Sequence, residues 1–218
     1  MTNFCQWGKL EIKKVIDLNS VLFDQSQPEG QVIYEVCRGE NVEGSFRYDL
    51  TLFHPVLLGL ELGKTFGHYH ENNNPEIYEV LSGRALFLIQ KYEDNPSVIS
   101  EAYLVEAREK DKVVIPFGFG MVTINAQIDK EALIGNWVDV GVKNTYEFFE
   151  KLRGGCYYIL TAENRSWKAE ENKNYQQVPE LINLEPKTLP IELRNLEFLS
   201  NSRKYKDILT IDNLYERL

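Results

Sequence analysis

The stretch Gly67-His68-Tyr69-His70-Glu71-Asn72-Asn73-Asn74-Pro75-Glu76 contains two of the three histidines of the chain. Side chains alternate between the two faces of an extended strand, so His68 and His70 point the same way, about 6–7 Å apart. The three asparagines and Pro75 predict a turn that returns the chain in a second strand. The stretch therefore predicts a β-hairpin with two imidazoles and the Glu76 carboxylate on one face.

Strand-forming segments continue outward from this hairpin. Residues 77–81 (IYEVL) predict a strand, Ser82-Gly83 a turn, and residues 84–90 (RALFLIQ) another strand. From Gln31 to about Val142, short apolar runs are separated by turns, a pattern that is typical of an antiparallel barrel or sandwich. The sequence thus predicts an all-β core.

Two imidazoles and one carboxylate form a common ligand set for divalent iron, manganese, nickel or zinc. Taken alone, a His-x-His pair on a strand more often has no metal, because so short a motif recurs by chance. The residues around the pair must therefore decide between a metal site and an ordinary surface or core pair.

Two groups of residues resemble the conserved motifs of the cupin superfamily. In the first motif a glycine precedes His-x-His and a glutamate and a second glycine follow; the matching residues are Gly63, His68, His70, Glu76 and Gly83. The second motif runs proline, glycine, histidine, asparagine; the matching residues are Pro116, Gly118 and Asn125, with Met121 in place of the histidine. The resemblance implies a cupin (jelly-roll, double-stranded β-helix) barrel with a few peripheral helices.

Within the superfamily, residues 30–160 resemble the archaeal-type glucose-6-phosphate isomerases. The most specific segments are Lys64–His70 and Pro75–Gly83, and Val32–Val36 and Thr51–Pro55 resemble two more. These enzymes interconvert glucose 6-phosphate and fructose 6-phosphate with a divalent metal. The resemblance therefore implies a sugar-phosphate substrate and a metal cofactor, foremost iron(II), with manganese, nickel or zinc as alternatives.

The resemblance also implies roles for single residues. His68, His70 and Glu76 would hold the ion, and Glu76 would also be the leading candidate for the base that moves hydrogen between C1 and C2. Tyr78, on the same face of its strand, would hydrogen-bond the sugar or carry a proton. The alternative for Tyr78 is an aromatic ring that only fills the mouth of the barrel.

The phosphate end of the substrate is assigned in the same way. The resemblance implies four groups around the phosphate: the side chains of Tyr34, Thr51 and Thr65 and the backbone N–H of Gly67. Hydroxyls and a glycine amide can cradle a dianion. Tyr146 would provide a second aromatic contact to the substrate. Threonine and tyrosine are also ordinary strand residues, so none of these assignments is diagnostic by itself. Alternation points Lys64 away from this site.

Methionine at position 121 leaves the function open between three hypotheses. A thioether binds iron, manganese or zinc poorly, so the ligand set has only three good members, unless water, Glu71 or Glu79 completes it. The first hypothesis is a metal-dependent isomerase, and the second is a sugar-phosphate-binding cupin that has lost turnover. The third is another metal-dependent cupin enzyme, an oxygenase or an epimerase.

Composition restricts the partners and the location. A net charge of −9 argues against a nucleic-acid surface, and no basic cluster predicts binding to an anionic membrane. The amino terminus lacks the features of a signal peptide, and no apolar run approaches the roughly 20 residues that cross a bilayer. The three cysteines, Cys5, Cys37 and Cys156, predict free thiols in a reducing cytoplasm.

Three regions are expected along the chain. Residues 1–30 form a lead-in that packs on the barrel, residues 31–163 the cupin barrel, and residues 164–218 a polar loop and a helical extension. Asn144 resembles the N-cap of a helix that ends at Gly154-Gly155, and residues 170–174 predict a loop. The apolar pattern from Ile191 to Leu218 predicts one or two short helices. The family resemblance implies a homodimer.

Overall fold

Residues 4–218, except for the side chain of Arg165, are described by a computed structural model. Strands account for most of the regular structure. In chain order they are β1 (Lys9–Lys14), β2 (Val32–Glu43), β3 (Phe46–Phe53), β4 (Leu57–Leu58), β5 (Glu61–Leu62), β6 (Tyr69–His70), β7 (Glu76–Ser82), β8 (Arg84–Tyr92), β9 (Ile99–Arg108), β10 (Lys112–Ile115), β11 (Gly120–Asn125), β12 (Ala132–Asp139), β13 (Asn144–Thr145), β14 (Tyr157–Thr161), β15 (Trp167–Glu171), β16 (Ile182–Pro186) and β17 (Tyr215–Arg217).

The helices are short. The α-helices are α1 (Val15–Leu18), α2 (Glu147–Lys151) and α3 (Ile211–Leu214), and the 3₁₀ turns are Asn19–Val21, Glu163–Arg165, Ile191–Leu193, Glu197–Leu199 and Ser202–Tyr205. Among residues 4–218, no helix has the length and the apolar run that a membrane span requires.

Two large sheets enclose one hydrophobic core. The first has the strand order β1-β2-β3-β12-β7-β10, and the second has the order β11-β8-β9-β16-β17. Large side chains such as Phe53 and Phe87 are fully buried between them. Burial of each such ring stabilises the folded state by about 1.5–3 kcal/mol. This arrangement confirms the predicted all-β jelly-roll barrel with few helices.

The turn between β7 and β8 shows why a glycine stands at position 83. Gly83 has a φ of +82°, a conformation that L side chains rarely adopt. A Cβ atom there would lie 2.7 Å from the carbonyl oxygen of Glu131. The turn predicted from Ser82-Gly83 is confirmed, and it fixes the register of the strand that begins at Glu76.

The helix predicted near residue 147 is present, but its start was predicted wrongly. Asn144 is not an N-cap, because it belongs to β13 and pairs with His70 of β6. The helix begins at Glu147, with Tyr146 in the N-cap position and no side-chain cap. It ends at Lys151, three residues before the glycine pair that was expected to stop it, and the N–H of Gly154 donates to the carbonyl of Phe149 at 2.7 Å. Strand pairing therefore overrides the local capping signal.

The carboxyl-terminal region contains more strand than was predicted. The loop expected at residues 170–174 overlaps β15, which pairs with β14. The predicted helical extension is replaced by 3₁₀ turns, the single turn α3 and two strands, because β16 pairs with β9 and β17 with β16. Phe198 and Leu199 are fully buried against the barrel.

The cysteine prediction was wrong for two of the three residues. Cys5 and Cys37 form a disulfide with their Cα atoms 5.4 Å apart, and Cys156 is a buried free thiol. The pairing of β1 with β2 brings together residues that are 32 positions apart in the sequence. Spacing alone does not show such a contact, so the cysteine content no longer supports a reducing compartment.

Candidate metal centre and active site

His68, His70 and Glu76 meet at one end of the barrel interior. His70 lies in β6, His68 two residues before it, and Glu76 opens β7 after the predicted turn. The two imidazole Nε2 atoms are 3.2 Å apart, and they lie 3.6 Å (His68) and 3.7 Å (His70) from Oε2 of Glu76. The predicted hairpin is confirmed, and it brings all three candidate ligands together.

The spacing of these three atoms suits a small divalent ion. The circle through them has a radius of about 2 Å, which is the usual length of a bond from a transition metal to an imidazole or a carboxylate. Only the two imidazoles are within hydrogen-bonding distance of each other, and both contacts to Glu76 are too long for hydrogen bonds. The donor set and its geometry therefore fit a metal.

A hydrogen bond fixes the orientation of His70. Its Nδ1 lies 2.7 Å from the carbonyl oxygen of Asn74, and this acceptor places the ring proton on Nδ1. The lone pair of Nε2 is then free to face the centre, as in most imidazoles that bind metals. Burial lowers the pKa of His70, although the charge of Glu76 opposes this shift, so the neutral ring dominates at pH 7.

Glu76 is buried and held by two further polar side chains. Tyr78 Oη donates to its Oε2 at 2.5 Å, and Asn136 Nδ2 donates to its Oε1 at 2.8 Å. Burial raises the pKa of Glu76, but the proximity of His68, the charge of His70 and the Tyr78 hydroxyl together lower it to about 2. Glu76 is thus a carboxylate at neutral pH, which suits a metal ligand better than a strong base.

Sequence reasoning missed Asn136. It lies in β12, where the register places it opposite Tyr78 of β7. Asparagine is depleted in strands, so an asparagine inside the apolar run of residues 132–138 was the sequence signal that could have pointed to a functional role. Its partner could not be identified without the pairing of β12 with β7.

Met121 faces the same centre. It lies opposite His68, with backbone hydrogen bonds between the two residues in both directions at 3.1 and 2.9 Å. Its Sδ is 3.6 Å from Oη of Tyr78. The residue that replaces the fourth histidine of the motif therefore occupies the position from which a fourth ligand would act.

All five residues predicted to bind the substrate line the cavity beside this centre: Tyr34, Thr51, Thr65, Gly67 and Tyr146. The cavity has a volume of only about 80 Å³. Tyr146 covers it, with its ring 6.0 Å from that of His68 and its side chain 41% exposed. In this conformation the cavity has room for an ion and water, but it is smaller than the roughly 300 Å³ at which ligand pockets begin.

The same cavity contains charges that sequence reasoning missed. Arg38 and Arg47 line it together with Asp49, which is 2% exposed. Arg47 Nε lies 2.9 Å from one carboxylate oxygen of Asp49, and Arg38 Nη1 lies 3.4 Å from the other. Residues 47, 49 and 51 share one face of β3, so strand alternation from Thr51 was the signal that could have found two of them.

Three other ionisable residues lie outside the site, among them Glu79, which the sequence left open as a fourth ligand. Lys64 forms a buried ion pair with Glu61 at 2.5 Å. Glu79 lies on the outer face of β7 and pairs with Lys112 at 2.6 Å. His54 contacts Glu35 at 2.9 Å, away from the other two histidines.

Comparisons with known proteins bear on the family and on the fold. The model of the family "Glucose-6-phosphate isomerase (GPI)" matches residues 12–177, which is more than half of the 218-residue chain. A search of curated proteins gives no significant match.

Similar solved structures include three cupins or cupin-like enzymes. A cupin-2 domain protein of Shewanella frigidimarina is 15% identical, with a TM-score of 0.32 over 47% of this chain and 78% of that chain. An oxalate oxidase with the substrate analogue glycolate is 18% identical, with a TM-score of 0.37 over 47% of this chain and 46% of that chain. An oxalate decarboxylase of Bacillus subtilis is also 18% identical, with a TM-score of 0.38 over 51% of this chain and 27% of that chain. The chain thus spans less than half of either oxalate enzyme, and we infer no activity from these similarities.

The family match covers β2 to β15, and hence the His-x-His hairpin, Glu76 and Met121. The jelly-roll topology agrees with the two cupin motifs that these strands carry. The chain therefore belongs to the cupin-type glucose-6-phosphate isomerase family.

Proposed function

We propose that this protein is a metal-dependent aldose–ketose isomerase that interconverts glucose 6-phosphate and fructose 6-phosphate. The observation that carries the proposal is the triangle of His68, His70 and Glu76, which fits a divalent ion and lies beside Tyr78 within one cavity. Family membership supplies the substrate class. Iron(II) is the foremost candidate for the ion, and manganese, nickel and zinc also suit these ligands.

The reaction moves hydrogen between C1 and C2 of the sugar. A bound ion would supply a Lewis acid for the carbonyl and hydroxyl oxygens. We assign Glu76 and Tyr78 to the proton transfers, since their side chains already share a short hydrogen bond. The low pKa of Glu76 depends on His68, His70 and Tyr78, so a substrate that breaks the Tyr78 contact would make the carboxylate a better base.

The phosphate would bind among Tyr34, Thr51, Thr65 and the N–H of Gly67. Thr65 is held in place, because its Oγ1 accepts a hydrogen bond from the N–H of Thr123 at 3.0 Å. Arg38 and Arg47 lie beside these hydroxyls, where both pair with Asp49 and Arg38 also pairs with Glu11 at 3.4 Å. The phosphate would therefore have to compete with these carboxylates for the two guanidinium groups.

Substrate entry requires a change of shape at the mouth of the cavity. A volume of about 80 Å³ is too small for a hexose phosphate. We propose that Tyr146 moves aside, because it is half-exposed, its ring only lies against Phe66 and His68, and its hydroxyl accepts a single side-chain hydrogen bond, from Asn144 at 3.0 Å. A homodimer and a cytoplasmic location stay predictions of the family resemblance.

A second candidate is a sugar-phosphate-binding protein of the same fold without turnover. The observation that favours it is Met121, whose thioether occupies the place of a nitrogen ligand. The two candidates predict the same ligand and differ only in catalysis.

Metal removal and replacement distinguish them. We expect chelator-stripped protein to show no conversion of fructose 6-phosphate in a coupled assay. Titration with ferrous iron, manganese, nickel or zinc should restore turnover with at least one of these ions. Binding of fructose 6-phosphate, measured by calorimetry on the same samples, serves as the control for folded protein. Binding without turnover for every metal would select the second candidate.

Substitution of Met121 by histidine tests whether position 121 limits the metal site. Met121 lies directly opposite His68, so a histidine there can add a fourth nitrogen ligand. We expect Met121→His to bind manganese or zinc at least about tenfold more tightly, within the range by which neighbouring groups alter metal affinity. Met121→Leu, which keeps the volume without a nitrogen, is the matched control. Equal affinities for both variants would show that position 121 does not reach the ion.

A further inference from the structure

A second cavity, larger than the one beside the metal centre, lies on the outer face of the first sheet. It has a volume of about 590 Å³, within the usual range of small-molecule sites. Its floor is formed by β7 and β12, and its opposite wall by residues 186–196. This wall lies beyond residues 12–177, the part of the chain that matches the family. One wall of the cavity therefore lies outside the part of the chain that matches the family, and its floor lies inside that part.

The entrance of this cavity is positively charged in an otherwise acidic protein. The ionisable side chains that line it are the cations Lys110, Lys112, Lys187 and Arg194 and the anions Glu79 and Asp111. Four cations against two anions leave an excess of positive charge, whereas the whole chain has a net charge of −9. Such a local reversal of sign attracts anions to this cavity.

Some of these charges are already paired and others are available. Lys112 pairs with Glu79 at 2.6 Å, and Lys187 Nζ donates to the carbonyl oxygen of Asp212 at 2.7 Å. Lys110 and Arg194 have no carboxylate within 4.0 Å among the residues that the structure describes, and both side chains are exposed. Two unpaired cations at one cavity can bind an anionic group such as a phosphate.

The floor carries two aromatic rings that lie against each other. The rings of Tyr48 and Trp137 are 4.8 Å apart with an angle of 36° between their planes, and both are half-buried at the cavity. The Tyr48 hydroxyl lies across Gly135, where any side chain would displace it. Trp and Tyr rings in this arrangement can stack on a planar heterocycle, which gains from an aromatic partner whatever its exact identity.

Backbone strain is also concentrated here. Lys110 and Leu196 have φ values of +77° and +61°, although neither is glycine or asparagine. Both line the cavity. Strained residues that the surrounding structure holds in place are typical of ligand sites.

From these observations we infer that this outer cavity, which we call the 590 Å³ cavity, binds a nucleotide. The base would stack on Tyr48 and Trp137, and the phosphates would bind Lys110 and Arg194. The ligand would contact the outer side of β7 and β12, whose inner side carries Glu76, Tyr78 and Asn136.

Calorimetry with ADP on the full chain tests this inference. The buffer contains a chelator, so that ADP cannot bind through an ion at the His68 centre. We expect one saturable site, and at least about tenfold weaker binding for the Lys110→Gln/Arg194→Gln double variant, because each lost charged hydrogen bond contributes to affinity. Trp137→Leu should weaken binding about tenfold through lost stacking. Trp137→Phe keeps a ring and should therefore bind ADP more tightly than Trp137→Leu. If Trp137→Leu does not fold, Trp137→Phe is compared with the unmodified protein and should bind ADP more weakly than it does.

Two controls separate this site from the proposed isomerase site. Lys168→Gln removes an exposed cation of β15 away from the cavity and should leave ADP binding unchanged. Glu76→Gln should also bind ADP normally, and excess glucose 6-phosphate should not displace it.

Several outcomes would overturn the inference. They are no saturable binding up to millimolar ADP, displacement of ADP by glucose 6-phosphate, and equal losses in Lys168→Gln and the double variant. A dimer that Arg194→Glu dissociates would assign the face to a second copy instead. None of these outcomes depends on the metal-restored turnover, so the proposed function is judged separately.

Discussion

Glu76→Gln is expected to lower kcat by about three orders of magnitude while substrate affinity changes less than about fivefold. General acid–base catalysis contributes 10²–10⁴-fold in typical enzymes, and the amide cannot accept a proton. Glutamine has nearly the same size as glutamate, so Asn136 and Tyr78 keep a neighbour of the same volume that no longer carries a negative charge. The measurement is kcat at saturating metal, with fructose 6-phosphate binding determined on the same sample.

The design must separate the two roles of Glu76, as a base and as a metal ligand. Metal content is therefore measured for each sample, and kcat is expressed per bound ion. Glu170→Gln, an exposed carboxylate of β15, is the matched control and should behave as the unmodified protein. If binding and turnover of Glu76→Gln fall by equal factors, the carboxylate only holds the ion or the substrate and is not the base.

Lys64→Met is expected to reduce the free energy of unfolding by about 3–5 kcal/mol, the usual cost of removing one partner of a buried ion pair. Lys64 Nζ lies 2.5 Å from Glu61 and donates to the carbonyl oxygen of Val21 at 2.7 Å. Both side chains are at most 5% exposed. Without Lys64, the Glu61 carboxylate would be buried with one hydrogen bond, from the N–H of Phe23. Denaturant unfolding with several probes measures the change.

The pH dependence of this loss gives a second readout. Burial raises the pKa of Glu61 even though the charge of Lys64 opposes the shift, and the variant removes that opposing charge. A carboxyl group whose pKa is higher in the folded than in the unfolded state lowers the free energy of unfolding as the pH rises through that pKa. The difference in the free energy of unfolding between Lys64→Met and the unmodified protein should therefore be larger at pH 8 than at pH 5.

An exposed ion pair provides the control. Lys204→Met breaks a pair with Glu197 at 2.8 Å on the surface and should reduce the free energy of unfolding much less than Lys64→Met does. A similar small cost for Lys64→Met, at both pH values, would show that the buried pair does not stabilise the fold.

Predictions from the sequence succeeded where the physical cause is local. Strand alternation placed His68 with His70, and Glu76 with Tyr78. The turn at Gly83 followed from its conformational freedom. These features depend on a few adjacent residues, so a single sequence contains enough information to predict them.

Predictions failed or were missing where two distant segments meet. The disulfide of Cys5 with Cys37 follows from the pairing of β1 with β2, and the displaced start of α2 from the pairing of β13 with β6. Asn136, like Arg38 of β2, reaches the site only through the order of strands in the first sheet. Which strands become neighbours depends on the packing of the whole chain, and local propensity does not encode it.

The sequence by itself determined the β-hairpin, the identity of the three candidate metal ligands and the replacement of a fourth by Met121. The tertiary structure alone decided that their ligand atoms lie within 4.8 Å of one another, that Asn136 and Tyr78 hold Glu76, and that residues 186–196 enclose a charged cavity behind the same strands. The reason is that alternation along a strand is set by the backbone of that strand. Distances between strands are set instead by long-range pairing and by the burial of a common core.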